Sequence, residues 1–381
     1  MGCFRSDRRA RPLRFAALWL MLAAPQFAGA QQPGAAAPAL ADNAALKYWQ
    51  AFAQLPQWNE QQQRIIGDWA SAPLDGDAQA IVDNVRGALV YLQRGSKLAG
   101  CDWSLDLSDG PALLLPHLAK ARELARLAAL HARRELARGH QAEAVADMSA
   151  GLALARHAGV DNVLISVLVQ TAIESMFVDL AAEHLPEFNA VSLEALSKRL
   201  ASLPPGGTVK SSMRQERTYF VDWFRGHLES EGASAGDRLP EMKPVLEALG
   251  TVNALAMLVR YGKFYEDAER VAELPAGEQR AAFEALERQY ADNPVAKLFT
   301  PAYSRAFDVE NKAKARRAML QAAIAVQQGG REKLASMPDP FGAGEFTYRE
   351  RPGGFELVSK LVIEGKPVTL VVGPRDAPVK K

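Results

Sequence analysis

Near Gly329-Gly330 the spacing of apolar residues changes from a helical period to strict alternation, and this switch constrains the fold more than any other feature of the chain. Before it, apolar residues recur every third or fourth position, so they can share a buried face only on helices. Leu46, Trp49, Phe52 and Ala53 predict a first helix, capped by Asp42 or Asn43 and stopped before Pro56. Ile65, Ile66 and Trp69 predict a second, and Ile81, Val85, Leu89 and Leu92 place a third over 77–98. Gly100 to Pro111, with three aspartates, two glycines and a proline, reads as a loop. Strong helices follow over 114–138, 141–157 and 161–184. After Pro204-Pro205-Gly206-Gly207 come 213–228, 245–269, 278–290 and a long or broken helix over 294–328, with Gly232 to Gly236 as an exposed loop.

Beyond the switch, Glu345 to Glu350, Phe355 to Ile363 and Val368 to Val372 read as an antiparallel meander separated by Pro-Gly and Gly-Lys-Pro turns. Three short strands cannot enclose a core, so their apolar face is expected on the preceding helix at Met319, Leu320, Ala323, Ile324 and Val326. The predicted fold is mainly α: an irregular antiparallel helical bundle or array with one tetratricopeptide-like hairpin, plus a small C-terminal three-stranded antiparallel β meander. The hairpin is read at Leu136 to Val145, where Gly139 makes the turn and alanines let two helices approach closely, followed by Ala150, Leu152 and Leu154. No second copy follows at a repeat spacing of about 34 residues.

The first thirty residues carry a basic stretch through Arg14, a short apolar run from Phe15 to Ala24 and the triplet Ala28-Gly29-Ala30. This is the pattern of a secretory signal peptide over 1–30 cleaved after Ala30, since so short an apolar run cannot span a bilayer. A Pro-, Ala- and Gly-rich flexible linker over 31–42 leads to a helical domain over 43–330 and a β module over 338–373 packed on it. Export to the periplasm or medium follows as an expectation, with no transmembrane segment in the mature chain. The leader holds five arginines against Asp7, a net +4, so the chain's +1 becomes 1 − 4 = −3. A near-neutral mature chain lacks the basic face that nucleic acid requires. Cys3 leaves with the leader, so Cys101 is expected to be shielded and unpaired.

Two groups of residues carry a resemblance. Cys101-Asp102-Trp103, Gly110-Pro111, Leu115-Pro116-His117-Leu118 and Leu168 to Glu174 resemble an uncharacterised family of secreted, mostly helical proteins from environmental bacteria. Asp339-Pro340-Phe341-Gly342, Phe346, Tyr348-Arg349, Gly354-Phe355, Leu357 and Ser359 are similar to that family's C-terminal module, which echoes the β end of type II secretion pseudopilins. The resemblance implies architecture and export only. The calcium loop of pseudopilins does not carry over, because the only acid between Lys360 and Val372 is Glu364.

Catalytic patterns are scarce. The six histidines, His117, His131, His140, His157, His184 and His227, form no H-E-x-x-H and no i, i+4 pair, so no metal site is expected. No nucleophile elbow, P-loop or dinucleotide fingerprint occurs, and no cofactor is implied. Two candidate ligand sites remain. Asp102, Trp103 and Asp106, with Asp109, could stack a sugar or hold a cation, or Trp103 could plug the core while the acids cap turns. Glu174 shares a stripe with Ser166 and Gln170 on the very apolar segment Val163 to Leu180. It could serve as a general base in a pocket, or sit in a polar seam paired to an arginine. The preferred reading is a non-enzymatic exported scaffold or binding module for a protein or cell-wall component. The alternative is a hydrolase-type enzyme using carboxylates such as Glu174 or Asp102 in a helical cleft. Converging acids in an open concavity would favour the enzyme, and individually satisfied acids the scaffold.

Overall fold

The computed structural model of the chain describes residues 42–300 and 303–374; the leader over 1–30 and the linker through Ala41 lie outside the described residues. The chain is mainly α with one small C-terminal sheet. Asn43 opens α1 (Ala44–Phe52) by accepting from the Ala45 N–H at 3.0 Å. Asn59 and Gln62 cap α2 (Glu60–Gly67) reciprocally, and Asp75 caps α3 (Gly76–Asn84). The single helix expected over 77–98 is two, because the backbone leaves the helical region at Val85 (φ −108°, ψ 6°) before α4 (Arg86–Gly95). Val85 is itself buried, so the apolar period runs through the break and conceals it.

Next, α5 (Pro116–Ala137) and α6 (Gln141–Ala158) form a hairpin. At φ 78°, Gly139 lets the His140 N–H reach the Glu135 carbonyl at 2.8 Å, while its own N–H reaches Leu136 at 2.9 Å. Then follow α7 (Leu164–His184) and α8 (Ala190–Ala201), the latter absent from the sequence reading. Only Leu193, Leu196 and Leu200 mark its buried side as large apolar residues, too thin a stripe to stand out. The helix expected over 213–228 is α9 (Val209–Glu216), a π turn over Arg217–Asp222 and α10 (Trp223–Glu231). The expected exposed loop after it is a tight 3-10 turn that buries Ala235 and Gly236 against α11 (Lys243–Val271), itself kinked at Gly250. The last helices are α12 (Ala276–Gln289), α13 (Pro294–Phe299) and α14 (Tyr303–Gly329), so the long C-terminal helix is broken.

Two apolar cores result. The first gathers α1 to α6, most of α7, α8 and the C-terminal half of α14; the second gathers α9 to α13 with the starts of α7 and α14. Thus α7 and α14 run through both. Two helical stretches, Leu164–Glu187 and Pro240–Val271, are long and apolar enough to cross a membrane by composition; the apolar window of the first is mostly buried and that of the second mostly is not.

The sheet runs β1 (Thr347–Arg351), β2 (Gly354–Ile363), β3 (Lys366–Val372), antiparallel and in that order. Phe355, Leu357, Leu361, Val368, Leu370 and Val372 join the first core with Met319, Leu320, Ala323 and Ile324 of α14. Beyond β3 the Gly373 N–H donates to the Ala182 carbonyl of α7 at 2.9 Å. The ladder slips between Val358 and Val362, and a bulge leaves N–H groups without strand partners. Buried Asp339 fills that gap, accepting from the Lys360 N–H at 2.6 Å, the Ser359 hydroxyl at 3.0 Å and the Phe341 N–H at 3.0 Å. In this chain the Asp-Pro-Phe-Gly stretch is therefore the plug of a β-bulge.

Candidate functional site

The loop after α4 is laced to the start of α1. Asn43 accepts from the Asp102 N–H and donates to the Asp102 carbonyl, both at 2.9 Å. This turns Trp103 inward, 6% exposed, with its indole N–H donating to the His157 carbonyl at 2.8 Å. Its ring stacks on His117 at 4.5 Å between centroids and lies beside Tyr48 and Phe52. Asp102 accepts from the Ser104 N–H at 2.7 Å and Asp106 from the Ser108 N–H at 3.0 Å. Hydrogen bonding from Ser108 holds the Asp106 carboxyl below its usual range. Trp103 fills core space while the two acids hold separate turns, and these residues enclose no shared ligand site.

Around Trp103 lies a buried polar group. His157 shares a 2.7 Å hydrogen bond between Nδ1 and the Tyr48 hydroxyl, and burial pushes its pKa down to about 4. His117 places Nε2 3.2 Å from Asp161 Oδ2. Cys101, unpaired and half-buried, has a thiol pushed up by burial. Thiol, imidazole and carboxylate are the vocabulary of nucleophilic catalysis. However, the His117 ring is fully buried, the Cys101 thiol is held protonated, and none of the described cavities is lined by these side chains. Among the described residues, no group of three or more His, Cys, Asp or Glu side chains is placed to hold a metal ion.

Glu174 lies 2% exposed between two arginines, with Arg156 at 2.9 Å and Arg317 at 2.7 Å. One stripe neighbour, Gln170, bonds both the N–H (3.0 Å) and the carbonyl (3.2 Å) of Gly207, and Ser166 is buried beside it. The stripe is a seam joining α6, α7, α14 and the Gly206-Gly207 turn. Asp102, Trp103, Asp106 and Glu174 are therefore each engaged, and none lines the groove between α4, α6 and α8, one of several hollows among the described residues.

That groove, of about 270 Å³, lies between α4, α6 and α8. Its floor is Ala142, Val145, Ala146, Ser149 and Ala153, which follow i, i+3, i+4, i+7 and i+11 along one face of α6. Gln93, Ser96 and Lys97 form one wall, Ala195, Arg199 and Ser202 the other, and Leu203 and Pro204 close an end. Arg199 stands in the last turn of α8 and Lys97 just beyond the C-cap of α4, both near helix ends whose dipole favours cations. Neither has an acidic partner among the described residues, and the hydroxyl of Ser149, itself 7% exposed, has no hydrogen bond. The sequence reading missed this site. Its only local signal was the small-residue face of α6, there assigned to helix packing, and one wall belongs to the unrecognised α8. Comparison with protein-family models, with curated proteins and with solved structures gives no match.

Proposed function

We propose that the chain is an exported, non-enzymatic helical binding module, and that a protein or cell-envelope component seats in the α4–α6–α8 groove. The observation carrying this reading is an open groove whose cations and buried hydroxyl lack partners, whereas the acids singled out from sequence are already satisfied by arginines or backbone N–H groups. The single repeat-like α5–α6 hairpin agrees with a scaffold. The hydrolase alternative finds no acid in this groove, and where Asp222, Glu266, Glu269 and Glu273 do line an open hollow, each is paired to a cation, Arg225, Arg217, Arg214 and Lys210 in turn.

A photo-crosslinking residue installed at Ala146 tests this reading in cells that export the protein. A discrete adduct is expected there, absent when the same group replaces Val252, which is 81% exposed on α11. Ala195→Trp, which fills the groove, should abolish the adduct. Equal adducts from both positions, or one that survives the blocked groove, would defeat the reading.

A further inference from the structure

We infer that the groove receives an extended acidic peptide, with carboxylates held between Lys97 and Arg199 and backbone laid over the alanine face of α6; this rests on the groove being the binding site. Charge selects the ligand's sign. The lining holds two cations and no acid. Asp147, on the buried side of α6, is fully buried and engaged by Gln93 at 2.9 Å and by His131. Of the basic neighbours, Lys198 meets Glu194 at 3.2 Å, Arg156 meets Glu174 at 2.9 Å, and Arg94 lies over the Tyr91 ring. Lys97 and Arg199 are left for a group from outside.

Ser149 is an independent observation. A hydroxyl more than nine-tenths buried and unpaired is unfavourable until something bonds to it. An amide or carboxylate entering the groove supplies that partner.

Shape and lining favour a peptide over a sugar. From Ala142 to Ala153 the floor spans eleven residues of helix, about 16 Å at 1.5 Å per residue, the length of about five extended residues. Alanine and valine make a shallow apolar floor for small side chains, with Leu203 and Pro204 at its end. No aromatic ring lines the groove to stack on a sugar face.

The test is fluorescence anisotropy with labelled Ala-Glu-Ala-Glu-Ala and its Ala-Gln-Ala-Gln-Ala counterpart, at low and at physiological salt. The acidic peptide should bind about tenfold more tightly and weaken with salt. K97Q/R199Q should erase that preference and lower the melting temperature only slightly, because both side chains are exposed and each loses no more than a favourable charge near a helix end. Ser149→Ala should weaken binding several-fold while leaving melting unchanged or higher, since it removes an unpaired buried group. Equal binding of both peptides, lost in Ala195→Trp, would overturn the acidic inference and keep the groove. Binding of neither peptide would overturn the peptide inference, and binding of tetragalacturonate that is lost in Ala195→Trp would make the site one for acidic glycan.

Discussion

The two cores are built from different materials. The first is alanine-rich: Ala121, Ala125, Ala128, Ala129 and Ala132 on α5 and Ala144, Ala150, Ala155 and Ala158 on α6 are all buried in it, and small side chains let helices pack closely. The second is aromatic, with Phe220, Phe224, Tyr261, Phe264, Tyr265, Phe283, Tyr290, Tyr303 and Phe307 packed between fewer helices. Rings with hydroxyls bring polar demands. Tyr303 donates to Glu216 at 2.7 Å, while Tyr261 and Tyr265 share a 3.2 Å hydroxyl contact, so the aromatic core also encloses a carboxyl. The alanine core has its own ionisable group in His157. Burial moves the two in opposite directions, His157 down and Glu216 up.

The sharpest test of whether these cores are separate is Glu174, whose arginines come from α6 and α14. Because α7 and α14 serve both cores, removing this clamp should loosen both together. Glu174→Ala leaves two partly buried guanidinium groups without their carboxylate and should cost about 3–5 kcal/mol. Urea unfolding followed separately by Trp103 in the first core and Trp223 beside the second, in single-tryptophan backgrounds, would measure it. Coincident transitions that shift together are expected; a shift confined to one probe would mean the cores fold independently.

A smaller effect separates the cores by pH. His157 has a folded pKa of about 4 against an ordinary 6.5, so the unfolded chain binds its proton first. Its contribution is complete above pH 6.5 and is lost as pH falls toward 4, roughly 3 kcal/mol for a shift of that size. Glu216 has the opposite sign: its raised folded pKa favours the folded state in acid, and that contribution is lost as pH rises through the folded value. Moving from pH 7 to about 4.5 should therefore speed hydrogen exchange of α1 and α6 relative to α9 and the start of α14. His157→Asn should flatten the response of α1 and α6 alone. Uniform acceleration in both cores would show that surface carboxylates dominate.

What the sequence makes legible follows from distance along the chain. Caps at Asn43 and Gly139 and the alternation of β2 are local patterns, and they place α1, the α5–α6 turn and the sheet. Trp103 and Glu174 were legible as alternatives, and the geometry around each distinguishes plug from platform and seam from pocket. Breaks that preserve the apolar period, at Val85 and through the π turn at Arg217–Asp222, are invisible to spacing. The groove is harder still. Lys97, Ser149 and Arg199 lie on three elements about fifty residues apart, and nothing local says that two helix ends will face one small-residue floor. Asp339 belongs to the same class, because the bulge it fills lies twenty residues onward in β2.

The finest distinction between the cores is between two glycines, each inside a helix. Gly151 of α6 lies against the Phe177 ring, and a side-chain carbon there would stand 2.0 Å from it. Gly262 of α11, in the aromatic core, has Val221 Cγ1 as its nearest neighbour at 3.4 Å, an ordinary contact. Alanine in place of a mid-helix glycine gains about 1 kcal/mol of backbone preference in either setting. At Gly151 that gain meets overpacking worth about 1–3 kcal/mol, because Phe177 is fully buried and can yield only by shifting α7. Gly151→Ala should therefore destabilise by up to about 2 kcal/mol, and Gly262→Ala should stabilise by about 0.5–1 kcal/mol. Chemical denaturation of both variants beside the parent reads the two signs directly. If both stabilise, α6 and α7 have room to separate, and close approach through small residues is not what holds the first core; if both destabilise, the second core is as tightly closed as the first.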